Sequence, residues 1–595
     1  MNPSKSERIT LILEIVAIFI VAFSLWYKVF LPETYFVAII FFITLLVVQM
    51  LRNKGSKFLV FQIALIFLLI RNVYYISTNY SIIPFGDGNW DYGVAKTFTQ
   101  NHSIFVIQEP NPPATLLTWY SGWPLLHTLA VCVSQISGID IFYVALLLPS
   151  IISITSLIFV YLFVEKIRTP LKLDARVTAL ALLMYATLPE GLFWPMQFVR
   201  QNFGILLLTI IFYLIYVLTI NPHSVRCKVW FNRGSRPLVM AHHFTSFSMV
   251  LYLFLFCAFL AIGRHFAKTK VGSKLFWSSP DLSIIGVAFA TLGFLFVWWN
   301  NFGAIIWPTV GSGVRRLIEI LMGIGQIEYL PARAFYPNLL TPMWVTSLLA
   351  LRDILAYIPA LFGLFHIMMR ASKTPQKFLV TYSTLAFGAL FIIDSFIFRV
   401  EIYRIITLSL PFIVLLSATF WIHVQNKLKS IWRIPITVSV VTLLLSSSFI
   451  GLWAHNFAPL HLYDTSINSA EVGERNSYSM RLITFSNERL STGNFKIIWA
   501  DDLNPLLLLD PGDYGKIQRV SRDHIQRIGY YGNEIIYEFK SFNLYFYYAG
   551  TFSPAKNPEN AQVLMYELKH QVESKFNCAY NDGKCRLWTM PLAAE

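Results

Sequence analysis

The sequence predicts an all-α polytopic membrane domain followed by a soluble, extracytoplasmic α/β domain at the C-terminus. Three observations predict it. Apolar residues make up 56% of the 595 residues and charged residues only 13%, whereas a water-soluble chain carries about 25% charge. The mean hydropathy is +0.56. The apolar residues are also gathered into long runs that stop near residue 454, after which charge returns. This composition excludes a string of ordinary soluble domains, and disorder, coiled coil and collagen as well. The 47 Lys and Arg against 32 Asp and Glu leave a net charge of +15. These basic residues sit in short clusters between apolar runs, the pattern of cytoplasmic loops, so nucleic acid is not an expected partner and the lipid bilayer is.

A span needs about 20 apolar residues. Stretches of that kind are 10–30, 35–51, 58–76, 119–137, 141–164, 177–189, 203–220, 239–263, 283–299, 345–369, 378–398, 402–424 and 434–454, which gives about 11–13 transmembrane helices within 1–454. The first run is too long for a signal-peptide core and reads as a retained helix. The weakest are 119–137, interrupted by Pro124 and His127, and the short 177–189. Lys5 and Arg8, then Arg52, Lys54 and Lys57, place the N-terminus in the cytoplasm and residues 77–118 outside. Lys373, Lys377, Lys427, Lys429 and Arg433 place 300–344 and everything after 454 outside as well. The middle admits two readings. If all thirteen stretches cross, the basic stretches 165–176 and 221–237 fall outside, against the charge rule. If 119–137 only dips into the membrane, an extra ascent is needed before His242, in a segment (CKVWFNRGSRPLVM) too polar for a comfortable span.

Residues 455–595 form a second domain, large enough for its own core. Apolar runs shorten to strand length at Phe495 to Trp499, Glu534 to Phe539 and Leu544 to Tyr548, with turn signals at 511–513 and 581–583. Cys578 and Cys585 lie close together there; outside the cytoplasm a disulfide and two free thiols are both open. No Walker loop, GxGxxG or HExxH occurs.

Four constellations carry chemistry. The stretch 84–102, PFGDGNWDYGVAKTFTQNH, sets Asp87 and Asp91 four residues apart among glycines and aromatics, just after a span. At that depth a carboxylate can act as base on a hydroxyl beside a lipid headgroup; the alternative is a turn residue, Asp87, and a helix cap, Asp91. Sequons at Asn79 and Asn101 fall in the same loop. The stretch 394–404 carries Asp394, Arg399, Glu401 and Arg404, suited to gripping phosphate or to tying helix ends by ion pairs. Arg200 and Gln201 open a helix at FVRQN, as headgroup ligands or with Arg200 as a snorkelling cation. His242 and His243 in AHHFTSF point about 100° apart if helical, which suits a polar cleft better than a shared metal.

An early acidic loop after a membrane helix, many further spans and a soluble domain on the same outer side resemble the GT-C superfamily of glycosyltransferases that use polyprenyl-phosphate-linked sugars. Locally, GDGNWDYGVAKTF is similar to that family's Asp-led motif, EIYRIITLSLPFIVLLSA (401–418) to its late Arg-Tyr…Pro helix, and FVRQNFGILLL and AHHFTSF to large archaeal members. The sequence departs from the family pattern at Gly88, where a second acid often stands, and in having three spans before the motif.

The resemblance implies a cell-membrane enzyme that moves a sugar, with inversion, from a polyprenyl- or dolichyl-phosphate donor to an acceptor (protein, lipid or glycan) on the extracytoplasmic face. Asp87 or Asp91 would be the general base, Arg200, His242, His243, Arg399 and Arg404 the phosphate ligands, and Glu401 and Gln201 their support. It also implies an expected cofactor, Mg2+ or Mn2+, with Asp87 and Asp91 as two of its ligands. The alternatives are a lipid-linked-sugar flippase and a non-catalytic assembly subunit.

Overall fold

A computed structural model of the chain describes residues 32–52, 57–77, 86–102, 122–192, 197–221, 223–266, 284–303, 306–322, 343–369, 374–395 and 402–456, five short strands between 497 and 589, and a few isolated positions. Most of the stretch 10–30, the strand expected at Leu544 to Tyr548, Arg399 and Glu401 lie outside the described residues. Helices run in the order α1 (Pro32–Arg52), α2 (Lys57–Ser77), α3 (Gly86–Asn101), α4 (Leu125–Ser137), α5 (Ile141–Arg168), α6 (Arg176–Thr187), α7 (Pro189–Leu192), α8 (Arg200–Ile220), α9 (Val225–Ala241), α10 (His243–Phe266), α11 (Ile284–Asn301), α12 (Trp307–Leu321), α13 (Met343–Met369), α14 (Pro375–Ile393), α15 (Ile402–Lys427) and α16 (Ser430–Asn456). Seven of the described helices are long and apolar enough to cross a membrane; the chain is a multi-pass membrane protein.

The chain divides into two compact units. The first holds α1, α2, residues 122–126 and nearly everything from residue 147 to 463. Its centre is α6, whose twelve residues are all buried, as expected of a helix apolar on every side. Arg176 at its start hydrogen-bonds Gln425 (2.7 Å) and Asn426 (2.9 Å) near the end of α15. The same guanidinium holds the Asp174 carboxyl below the usual carboxylate range.

Helices α13 and α15 touch at Gly363, where a Cβ would run into the carbonyl of Leu416. Small residues permit such approach between membrane helices. Gly363→Ala is therefore expected to lower stability by about 2 kcal/mol, an overpacking cost, read as a fall in melting temperature of the purified protein in detergent. In the α1–α2 pair, Gln49 and Gln62 exchange side-chain amide hydrogen bonds at 2.9 and 3.2 Å, both residues being buried.

The segment whose polarity argues against a span is helical. It is α9, 17 residues or about 25 Å long, packed on α8 and α11. It buries Phe231, Ser235, Leu238 and Val239 and turns Val225, Val229 and Trp230 outward. Arg236 lies over the Phe294 ring at 5.7 Å, so one of its cations is held on an aromatic face. Helix α4 has 13 residues, about 20 Å, short of the roughly 30 Å hydrocarbon thickness. At about 25 Å, α9 is short of that thickness too, and neither helix is among the seven candidate spans.

The second unit holds α3, most of α4, residues 138–146 and the C-terminal strands. β1 (Ile497–Ala500), β2 (Ile517–Arg519), β3 (Glu534–Phe539), β4 (Asn577–Asn581) and β5 (Cys585–Thr589) form a sheet of order β2-β1-β3-β5-β4. β1 pairs in parallel with β2 and β3, while β5 is antiparallel to β3 and β4. β3 coincides with the expected strand and β1 is shifted toward its C-terminal side. In this register Cys578 faces Trp588, three residues along β5 from Cys585. That is about 10 Å at about 3.3 Å per residue, beyond the Cα separation of about 7 Å that a disulfide tolerates. The register speaks against the bridge.

Candidate functional site

The acidic constellation lies in the second unit. α3 starts at Gly86, so Asp87 occupies its first turn and Asp91 its interior. The expectation that Asp91 begins the helix as a cap is thereby corrected. Four positions apart, the two acids share a face of α3. Asp91 is 1% exposed and its Oδ1 lies 2.7 Å from Nε2 of His127, which is 0% exposed. A carboxylate only accepts, so Nε2 carries the hydrogen of that bond. The Phe98 ring stands edge-on to His127 at 5.8 Å, and Tyr92 meets Phe142 at 5.9 Å. Burial and the Asp140 carboxylate push the Tyr92 phenol well above its usual value.

Removing the imidazole leaves a buried carboxylate short of a hydrogen bond, a loss of about 1–3 kcal/mol or more. His127→Ala is expected to lower the melting temperature, and His127→Gln, which restores a donor, to recover part of it.

The basic constellation is in the first unit. Arg200 is the first residue of α8, preceded by an extended Val199. Its guanidinium is 5.7 Å from the centre of the Trp123 ring, and Arg200 is buried, so it does not snorkel. Trp123 is 0% exposed; it belongs to this cluster and is no interfacial anchor. The His243 ring lies 4.6 Å from Trp123 and 4.7 Å from His242.

His242 is extended (φ −160°, ψ 124°) at the break between α9 and α10. The helical 100° argument therefore does not apply, and the two imidazoles come together. Nδ1 of His242 accepts from the Thr245 backbone N–H (3.3 Å) and lies 2.8 Å from its hydroxyl, which puts the hydrogen of the neutral ring on Nε2. Gly204 of α8 makes this approach possible: a Cβ there would stand 3.1 Å from both His242 Cβ and Thr245 Oγ1.

Arg404, on the first turn of α15, lies over Trp194 (5.0 Å) and Phe244 (5.7 Å). Arg200 and Arg404 both bear electrostatically on both histidines. Gln201 is 2% exposed and neither atom of its amide finds a hydrogen-bond partner. The arrangement offers cations, imidazoles and an unsatisfied amide against aromatic faces, which suits an anionic ligand with an apolar or ring-shaped neighbour. Asp394 is buried at the C-terminal end of α14.

Sequence reasoning missed a buried charge pair. Glu190 of α7 and Arg352 of α13 lie 3.9 Å apart, each side chain 1% exposed. Arg352 also hydrogen-bonds Asp353, and the half-buried Tyr357 bears on the Glu190 carboxylate. The signal is an Arg-Asp pair inside an apolar run, where ionisable residues call for a partner. Trp194 and His127 were missed as well; in the sequence His127 only interrupts an apolar stretch.

The expected divalent metal finds an incomplete set. Oδ1 of Asp91 is engaged by His127, and among the described residues no group of three His, Cys, Asp or Glu could hold an ion. No step is assigned to a metal.

The fold defines the class: a multi-pass membrane architecture. Among solved structures, the chain is similar to ArnT from Cupriavidus metallidurans bound to undecaprenyl phosphate, at 10% identity and a TM-score of 0.50, over 90% of this chain and 98% of that one. It also aligns with the oligosaccharyltransferase of Archaeoglobus fulgidus in the apo form, at 13% identity and a TM-score of 0.47, over 86% of this chain and 69% of that one. At such identities the likeness is one of fold. No family model matches the chain, and no curated protein matches it.

Proposed function

We propose that the chain is a membrane-embedded inverting glycosyltransferase that takes a sugar from a polyprenyl-phosphate donor and places it on an acceptor at the extracytoplasmic face. The observation that carries this reading is the cluster of buried Arg200 and His242 with half-buried His243 and Arg404 on Trp123 and Trp194, with the buried, unsatisfied Gln201 next to Arg200 in the chain. Such a set binds the phosphate of a lipid donor and stabilises the charge that develops on it as the sugar leaves. The ArnT fold supports the reading, that protein having been solved with undecaprenyl phosphate bound.

Asp87 is the proposed general base on the acceptor hydroxyl. The attack forms the bond from acceptor oxygen to the anomeric carbon, breaks the bond to the phosphate oxygen, and leaves the hydroxyl proton on the carboxylate. Asp91, tied to His127, is the alternative base. Arg399 and Glu401 belong to the proposed phosphate site on sequence grounds alone.

Incubating the purified protein with a radiolabelled polyprenyl-phosphate sugar and mixed acceptors tests the proposal. Release of lipid phosphate coupled to a labelled acceptor is the expected result. Movement of intact lipid-sugar across a vesicle without bond cleavage would replace the transferase with a flippase. Inactivity of the chain alone, reversed by a partner subunit, would favour an assembly role.

A further inference from the structure

Helix α12 follows the candidate span α11 after a connection of five residues, 302–306, which reaches at most about 18 Å. At about 100° per residue, Trp307, Val310, Val314 and Ile318 fall within roughly 80° of the helix circumference. Ser312, Arg315 and Glu319 occupy roughly 60° on another side by the same count.

Toward its C-terminal end the apolar stripe is uncovered: Val314 is 48% exposed and Ile318 49%. On the polar side Arg315 is 82% exposed and pairs with Glu319 at 3.0 Å. Trp307 stacks on Phe296 (5.6 Å, 13°) and meets Trp299 edge-on (5.8 Å), and Trp298 packs on Phe302 at 4.4 Å. The helix thus starts from a belt of aromatics at the end of a span, where such rings mark the water–lipid boundary.

We infer that α12 lies in the bilayer surface, with Val314 and Ile318 set into the boundary between headgroups and acyl chains and the Arg315 side facing headgroup phosphate and water. Three features select lipid as the occupant: the stripe is continuous with the aromatic belt of α11, it is exposed, and it is flanked by a cation. This is the pattern of an interfacial helix, which lies on the bilayer and does not cross it. The surface is independent of the proposed transferase activity.

The test places nitroxide labels at Val314→Cys, Ile318→Cys, Ser312→Cys and Arg315→Cys, one at a time. The background replaces Cys132, Cys227, Cys257, Cys578 and Cys585 with Ser, and the protein is reconstituted in nanodiscs of phosphatidylcholine and phosphatidylglycerol. Power saturation compares collisions with oxygen, which concentrates in lipid, and with a water-soluble nickel chelate. The expected result is a several-fold preference for oxygen at 314 and 318 and a reversed preference at 312 and 315. Equal access of the nickel chelate to all four positions would overturn the inference. So would exclusion of both reagents from 314 and 318, which means a protein cover. If the cysteine-free background does not elute as the native chain does, a lipid-borne diazirine gives the same contrast on the unmodified protein. Label on Val314 and Ile318 is then expected, and its absence from 307–321 overturns the inference.

Discussion

Asp87→Asn is expected to abolish sugar transfer while leaving the protein folded and inserted. Asp87 stands in the first turn of α3, where a carboxylate gains about 0.3–1 kcal/mol from the helix dipole and asparagine is also well accepted. The structural loss is therefore small. A general base contributes roughly 10²–10⁴ in rate, or about 3–5.5 kcal/mol of barrier, and an amide cannot take the proton. The kinetic effect should outweigh the structural one several-fold. Transfer measured on the purified variant, beside its melting temperature, separates the two. Activity near that of the native chain would remove Asp87 from the role and turn attention to Asp91.

Arg404→Gln is expected to weaken donor use by roughly 10²-fold, the scale on which a buried site responds when a charge-assisted hydrogen bond is taken from it. Its cation–π interactions with Trp194 and Phe244 are worth at most about 2 kcal/mol, so the fold should survive. The loss should fall mainly on KM for the lipid donor. Arg404→Lys should restore little, because an ammonium reproduces neither the planar two-point grip on phosphate nor the stacking. If both variants keep the native KM, Arg404 is a structural cation between two rings.

Much of the membrane fold was legible because a span has a blunt signature, length and apolarity. α5, α8, α10, α11, α13, α14 and α15 each fall on an expected stretch. α9 was not legible, because its four basic residues hide a packed face. Phe231, Ser235 and Leu238 are buried, and Arg236 is held on an aromatic ring supplied by a distant helix. Of the candidate site, Arg200, Arg404 and the two histidines come near one another. The reason they meet is hidden from the sequence. It rests on a chain break at His242 and on Gly204, neither of which has a period to read. The Asp91–His127 bond and the Glu190–Arg352 pair join residues 36 and 162 positions apart, and spacing along one chain does not encode such meetings.

The reciprocal amide bonds between Gln49 and Gln62 bear on how the chain enters the bilayer. Either helix released alone into hydrocarbon would carry an unsatisfied carboxamide, at a cost of several kcal/mol; released together, the two cancel that cost. The α1–α2 pair is thus held together inside the bilayer by a polar clasp. Sliding one helix past the other by a turn would break both bonds at once, so the same two glutamines fix its register.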